Sequence, residues 1–229
     1  MCNDIFFQRY YICFMQGLPT VVVVIIISNI LASSAGFRNR SFFDKYKFQV
    51  AKIKAGEQIR MLTSGFLHVD FNHILFNMLS LYFFAGYVVY SLGAVKFLAI
   101  YFSSLYLGNY VSLRYHENQD DYTAVGASGA VSGIVYSAVL LYPDMKLAFL
   151  FFPIPLPGYV IATLYLIYTL YGMKRQQDNI GHTAHFGGAI SGLCATIAFQ
   201  PSVIASSAFT LSILTATIII AAYFFKKLK

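Results

Sequence analysis

Residues 183–199 read TAHFGGAISGLCATIAF. The segment is long enough for a helix across a bilayer and holds no acidic or basic residue besides one histidine. Ala184, Gly188 and Gly192 recur every four residues, so they fall on one helical face. That face has almost no side-chain bulk, and another helix can approach it closely. His185 borders the bare face, and Pro201 stops the segment. The pattern predicts a packed helix in an apolar bundle with one ionisable group at its start.

The rest of the chain agrees. Of its 229 residues 58% are hydrophobic and 11% charged, against about 25% charged in an ordinary soluble domain. The mean hydropathy is +0.64. A soluble fold of this size could not hide that much apolar surface, which excludes a soluble enzyme, a disordered chain and a disulfide-built secreted module. The expectation is an all-α, polytopic membrane bundle forming a single domain over residues 1–229. With no Trp, the interfacial belt falls to 18 Tyr. Three widely spaced cysteines, Cys2, Cys13 and Cys194, suggest neither a disulfide framework nor a metal site. The net charge of +7 lies mostly outside the apolar runs and reads as a membrane-surface signal, with no nucleic-acid partner.

Seven spans are predicted: Leu18–Ser34, His73–Leu92, Ala94–Leu113, Val125–Tyr142, a fifth starting near Gly158 and ending at Met173, Thr183–Phe199, and Val203–Phe225. Pro153, Pro155 and Pro157 disfavour regular helix before the fifth. The first is read as a retained helix rather than a cleaved signal peptide. The long connection 36–72 carries seven cations among aromatics, a pattern for a solvated basic loop or one lying at the interface.

Polar residues inside spans are costly and mark function. His73 and Asn77 share a face at the start of the second span. Ser128 and Ser132 open the fourth, and His185 opens the sixth, just after His182. Alternate spans run in opposite directions, so these three starts lie on one side of the membrane. A serine nucleophile, a histidine base and hydrogen-bond donors could meet there. No Asp or Glu lies inside any span, which points to a Ser-His dyad rather than a full triad.

These residues resemble the rhomboid family of intramembrane serine proteases. His73-Ile74-Leu75-Phe76-Asn77 is similar to the family's HxxxN, Gly126-Ala127-Ser128-Gly129 to GxSG, and Ala184-His185 with Gly188 and Gly192 to AHxxGxxxG. Arg60 to Thr63 and Phe66 to His68 look like the stretch before the second span. The resemblance covers about residues 56–200. It implies a six-helix core plus an extra C-terminal helix at about 203–225, a 6+1 arrangement. Ser128 would be the nucleophile and His185 its general base. His73, Asn77 and the Ser128 backbone would form the oxyanion hole. Gly126 and Gly129 would let backbone and substrate approach the serine, and Gly188 and Gly192 would seat the sixth span on the fourth. Substrates would be transmembrane proteins in the lipid bilayer, with no cofactor and no metal. The fifth span and the 174–181 loop would gate entry. A non-catalytic, client-binding relative is the alternative, and a transporter or channel is the third.

Two departures stand out. Ile59 precedes Arg60 where a Trp is frequent, and Ser132 stands four after the nucleophile where some relatives carry an aromatic against the catalytic histidine; Tyr136, one turn deeper, is the candidate replacement. The family topology places the N-terminus in the cytoplasm and the site at the outer face. That puts 13 of the 16 cations outside, against the positive-inside rule. The expected location is a bacterial inner membrane. His68 and His116 are expected in interfacial loops, and the acidic Glu117–Asp121 loop in solvent.

Overall fold

The computed structural model describes residues 17–149, 152–175 and 180–227. Cys2 and Cys13 lie outside them, as do residues 176–179 of the expected 174–181 cap. Helix α1 (Thr20–Arg38) starts after Pro19. The connection that follows folds into α2 (Arg40–Tyr46), β1 (Phe48–Gln49), α3 (Val50–Lys54), α4 (Arg60–Thr63) and a 3-10 turn (Ser64–Phe66). Then come α5 (Phe71–Leu92), α6 (Ala94–Tyr115), β2 (Thr123–Ala124) and α7 (Ser128–Leu141). A hairpin of β3 (Lys146–Phe149) and β4 (Phe152–Pro157) leads into α8 (Gly158–Arg175), α9 (His182–Phe199), the single turn α10 (Val203–Ser206) and α11 (Ala208–Lys227).

Each expected span coincides with a helix, with two adjustments. The fourth begins at Ser128 rather than Val125. Gly126 has φ +132°, a conformation that side-chain-bearing residues rarely adopt, and Thr123–Ala124 pairs antiparallel with Phe48–Gln49. The seventh is broken at Ser207, whose hydroxyl donates to the Leu140 carbonyl at 2.7 Å. The 36–72 connection is not a plain loop. Its Phe48, Val50, Ile53 and Met61 form a small second core. Buried Arg60 donates to the Asp44 and Lys47 carbonyls at 2.8 Å each and pairs with Glu57 at 2.7 Å. Ile59, in the place of the frequent Trp, is exposed, so the guanidinium holds this connection together without it. Asn109 of α6 donates to the Met61 carbonyl at 2.8 Å and ties the connection to the bundle.

Helix α7 is buried along most of its length and is flanked by α5, α6 and α9. Small residues explain the closeness. A Cβ on Gly188 would overlap the Gly129 carbonyl oxygen, and one on Gly192 would overlap that of Gly133. Ser137 and Thr196 bond to each other at 2.8 Å across the same seam. Interhelical hydrogen bonds of this kind are favoured where water is scarce. Helix α11 packs against α8, with Phe209 edge-on to Tyr159 at 5.3 Å.

Two helices among the described residues, α1 and α5, are long and apolar enough to cross a membrane by length and composition. The Ser, Thr, Asn, His and Tyr residues of α6, α8 and α9 lower their mean hydropathy, and several of these side chains are buried against neighbouring helices.

Candidate active site

The turn 125–127 sets the geometry. The Gly126 N–H donates to the Ser64 carbonyl at 3.0 Å. A Cβ at Gly126 would lie 2.8 Å from His73 Nε2 and 3.6 Å from Ser128 Oγ. The imidazole of His73 therefore lies against the turn that presents Ser128. Ser128 is the first residue of α7, where backbone N–H groups lack intrahelical acceptors and the helix dipole favours negative charge.

His73 is held from its own helix terminus. The Asp70 carboxylate accepts from the His73 N–H at 2.7 Å and caps α5. Asn77 is buried, and its amide donates to the His73 carbonyl at 2.9 Å. One of its two amide hydrogens is thus spent within α5.

His185 stands in the first turn of α9 and is buried. Its neighbour Ala184 lies against Gly129: a Cβ on Gly129 would be 3.3 Å from the Ala184 carbonyl oxygen. The residue after the serine and the residue before the histidine therefore face each other across the α7–α9 seam. The Nδ1 of His185 is 2.9 Å from Tyr165 Oη of α8, with the rings 6.0 Å apart and 25° from parallel. Tyr136, the expected partner, instead donates to the Ala162 carbonyl of α8 at 2.7 Å. The aromatic at the histidine thus comes from a different helix. Sequence spacing could not reveal it, because Tyr165 precedes His185 by 20 residues and lies on another element.

His68 is the second residue that sequence reasoning undervalued. It lies in the loop before α5, as expected, but is fully buried there. Its Nε2 accepts from the Ala127 N–H at 3.4 Å, and its Nδ1 is 2.9 Å from Ser33 Oγ of α1. The Ser33 hydroxyl donates to the Phe66 carbonyl at 3.0 Å. The chain is consistent only if His68 carries its proton on Nδ1. Burial, with the adjacent His73 adding to it, pushes the His68 pKa down to about 3 against the weaker opposing pull of Asp70.

Beside this site, a cavity of about 180 Å³ is lined by His116, Tyr122, His182 and Thr183 among others. His116, in the turn after α6, is buried and stacks on Tyr122 at 3.6 Å. Burial lowers its pKa against the opposing Gln119 hydrogen bond. His182 lies 6.1 Å from His185, ring centre to ring centre. The acidic loop is partly engaged: Glu117 pairs with Arg114 and Asp120 with Lys54, both at 2.9 Å. No group of three or more metal-ligating side chains occurs among the described residues.

Comparison with known proteins places the site in context. The rhomboid domain family matches residues 55–202. The chain is 27% identical over 203 residues to RHOMBOID-like protein 12, mitochondrial, of Arabidopsis thaliana, covering 80% of this chain and 60% of that protein. It is 28% identical over 155 residues to Rhomboid protein 1, mitochondrial, of Saccharomyces cerevisiae, covering 66% and 44%. It is 39% identical over 89 residues to the rhomboid YdcA of Bacillus subtilis, covering 38% and 44%. The chain thus spans about half the length of these curated relatives. The mitochondrial names give no support to the expected bacterial inner membrane.

Proposed function

Because the chain belongs to the rhomboid family of integral membrane proteins, we propose that it is an intramembrane serine endopeptidase that cleaves transmembrane segments of other membrane proteins. The observation that carries the reading is the meeting of three helix starts: the His73 ring against the Ser128 turn, and Ala184, which precedes His185, against Gly129, which follows Ser128.

In this reading His185 Nε2 accepts the Ser128 Oγ proton as Oγ attacks the scissile carbonyl. The developing oxyanion takes hydrogen bonds from His73, Asn77 and the Ser128 N–H, each worth on the order of 3–4 kcal/mol. His185 returns the proton to the leaving amine. Water, activated by the same histidine, then hydrolyses the acyl-serine. Gly126 keeps the turn open for the substrate backbone, and Gly129, Gly188 and Gly192 hold α9 close enough for the histidine to act. A substrate helix must unwind before its peptide bond is exposed, so small or helix-breaking residues are expected at the cleavage site.

The bundle is read as a six-helix core, α1 and α5 to α9, with α11 as the added seventh span. Outward apolar side chains support it: Leu31, Phe76, Phe83 and Leu164 are each more than half exposed, as suits a lipid-facing surface. Helix α8 would gate lateral entry of the substrate.

The test is reaction of the purified protein with a fluorophosphonate, which labels activated serines, followed by cleavage of a transmembrane substrate in liposomes. Wild type should label and cleave, and folded Ser128→Ala and His185→Ala should do neither. Client handling that persists in both variants would favour the non-catalytic alternative.

A further inference from the structure

The dyad reading leaves open how His185 is fixed. A histidine can accept a serine proton at Nε2 only if its other nitrogen carries the hydrogen. In a triad a carboxylate enforces that tautomer, but no Asp or Glu lies in the helices that build this site. The Tyr165 hydroxyl lies 2.9 Å from Nδ1. Ser132, one turn beyond Ser128 on α7, lies beside the same hydroxyl. One turn earlier on α8, Ala162 is held by Tyr136 at 2.7 Å. That bond sets the register of α8 on α7 and so aims Tyr165 at the histidine.

We propose that Tyr165 is the positioning residue for the general base, taking the place of the triad carboxylate; the proposal rests on the dyad reading above. The polarity of the chain follows. In this arrangement His185 Nδ1–H donates to Tyr165 Oη, Oη–H turns toward the neighbouring Ser132 hydroxyl, and Nε2 is the nitrogen that takes the Ser128 proton. When Nε2 takes the Ser128 proton, the imidazolium keeps its Nδ1–H on Oη. No proton passes to Tyr165, and the Nε2 proton leaves with the amine. A neutral hydroxyl does this without the cost of a buried carboxylate. It also makes the base depend on α8: a displacement of that helix would release His185 along with the opening.

Tyr165→Phe keeps the ring and removes the hydroxyl. Its fluorophosphonate labelling should slow by on the order of ten- to a hundred-fold, with the unfolding temperature near that of wild type. The 15N spectrum of His185, assigned by its loss in His185→Gln, should show Nδ1 protonated and Nε2 bare in wild type. In Tyr165→Phe it should show a substantial share of the opposite tautomer, a change that a merely structural role would not produce. Ser132→Ala should slow labelling in the same direction, by about three- to ten-fold. Labelling of Tyr165→Phe at the wild-type rate, or a wild-type His185 protonated on Nε2, would overturn the proposal. If Tyr165→Phe does not fold, the wild-type spectrum and Ser132→Ala still decide it. Failure of the dyad reading would look different, as labelling of wild type that survives in Ser128→Ala or His185→Ala.

Discussion

The backbone N–H of Ala127 donates to the Nε2 of His68 across 59 residues of sequence, at 3.4 Å. The residue just before Ser128 is thereby tied to the segment between the 3-10 turn and α5, and through Ser33 to α1. His68 lies next to His73, ring centres 4.9 Å apart, so one buried imidazole supports both the serine turn and the proposed oxyanion donor. His68→Ala would leave the Ala127 N–H without its acceptor and open a cavity. The expected loss is about 1–3 kcal/mol of stability and roughly ten-fold or more in fluorophosphonate labelling. Wild-type stability and labelling in this variant would show that the contact does not hold the turn.

The same residue makes stability depend on pH. His68 titrates near 6.5 when unfolded and near 3 when folded. Between those values the unfolded chain binds the extra proton, so its contribution is intact above about pH 6.5 and is lost progressively as pH falls toward 3. Protonation would also remove the acceptor that Ala127 needs. His116, lowered for the same reason of burial, adds in the same direction. Each such group contributes at most about 1.4 kcal/mol per pH unit inside its window. Unfolding midpoints at pH 8, 6 and 5 should fall with acidity in wild type and fall less steeply in His68→Gln. Equal slopes in the two proteins would remove His68 as the cause.

The α7–α9 seam should tolerate nothing larger than hydrogen at two positions. Alanine at Gly188 or Gly192 would press its Cβ into the carbonyl oxygen of Gly129 or Gly133, and backbone cannot yield as a side chain can. The helices would have to part, at a cost of about 1–3 kcal/mol or more, carrying His185 away from Ser128. Gly181 is the control, since among the described residues a Cβ there meets only the Ala184 methyl at 3.9 Å. Gly188→Ala and Gly192→Ala should each abolish labelling while Gly181→Ala stays within about 0.5 kcal/mol of wild type in stability. A labelled, stable Gly188→Ala protein would contradict the close packing.

What the sequence disclosed and what it hid divide along one physical line. Helix positions follow from apolar runs and their proline and glycine stops, so every expected span meets a helix. The Ala184/Gly188/Gly192 face was legible because small residues every four positions mean one thing in an apolar helix. His68, Tyr165 and the 36–72 connection were not legible. Their roles arise from partners on other elements: Ala127 for His68, His185 for Tyr165, and the Asp44 and Lys47 carbonyls for Arg60. No local periodicity encodes such a meeting. The break at Ser207 was hidden for the same reason, as its hydroxyl answers to Leu140 of α7.

Sidedness is the remaining arrangement the fold predicts. The starts of α5, α7 and α9 and the ends of α6 and α8 belong to one face, with Asp121 and Lys174 beside them. The Gly93 turn, Asp144 and Ser202 belong to the other. In a background with Cys2, Cys13 and Cys194 replaced by serine, single cysteines at 121 and 174 should react with a membrane-impermeant maleimide from one side. Cysteines at 93, 144 and 202 should react only from the opposite side. The family topology makes the first side the one away from the cytoplasm. The distribution of cations argues for the reverse, because only Arg9, Lys96 and Lys146 would then remain within. Many of the cations on the connection are already engaged: Arg40, Lys47, Lys52, Lys54 and Arg60 each pair with a carboxylate. These five share three carboxylates, Asp44, Glu57 and Asp120, and the rule counts cations rather than net charge, so the pairing leaves the conflict with the family topology in place. Reaction of 174 from the cytoplasmic side alone would invert the orientation and leave the relative placement of the five sites intact. Reaction of 121 and 144 from the same side would break the alternation on which the proposed Ser128, His73 and His185 site depends.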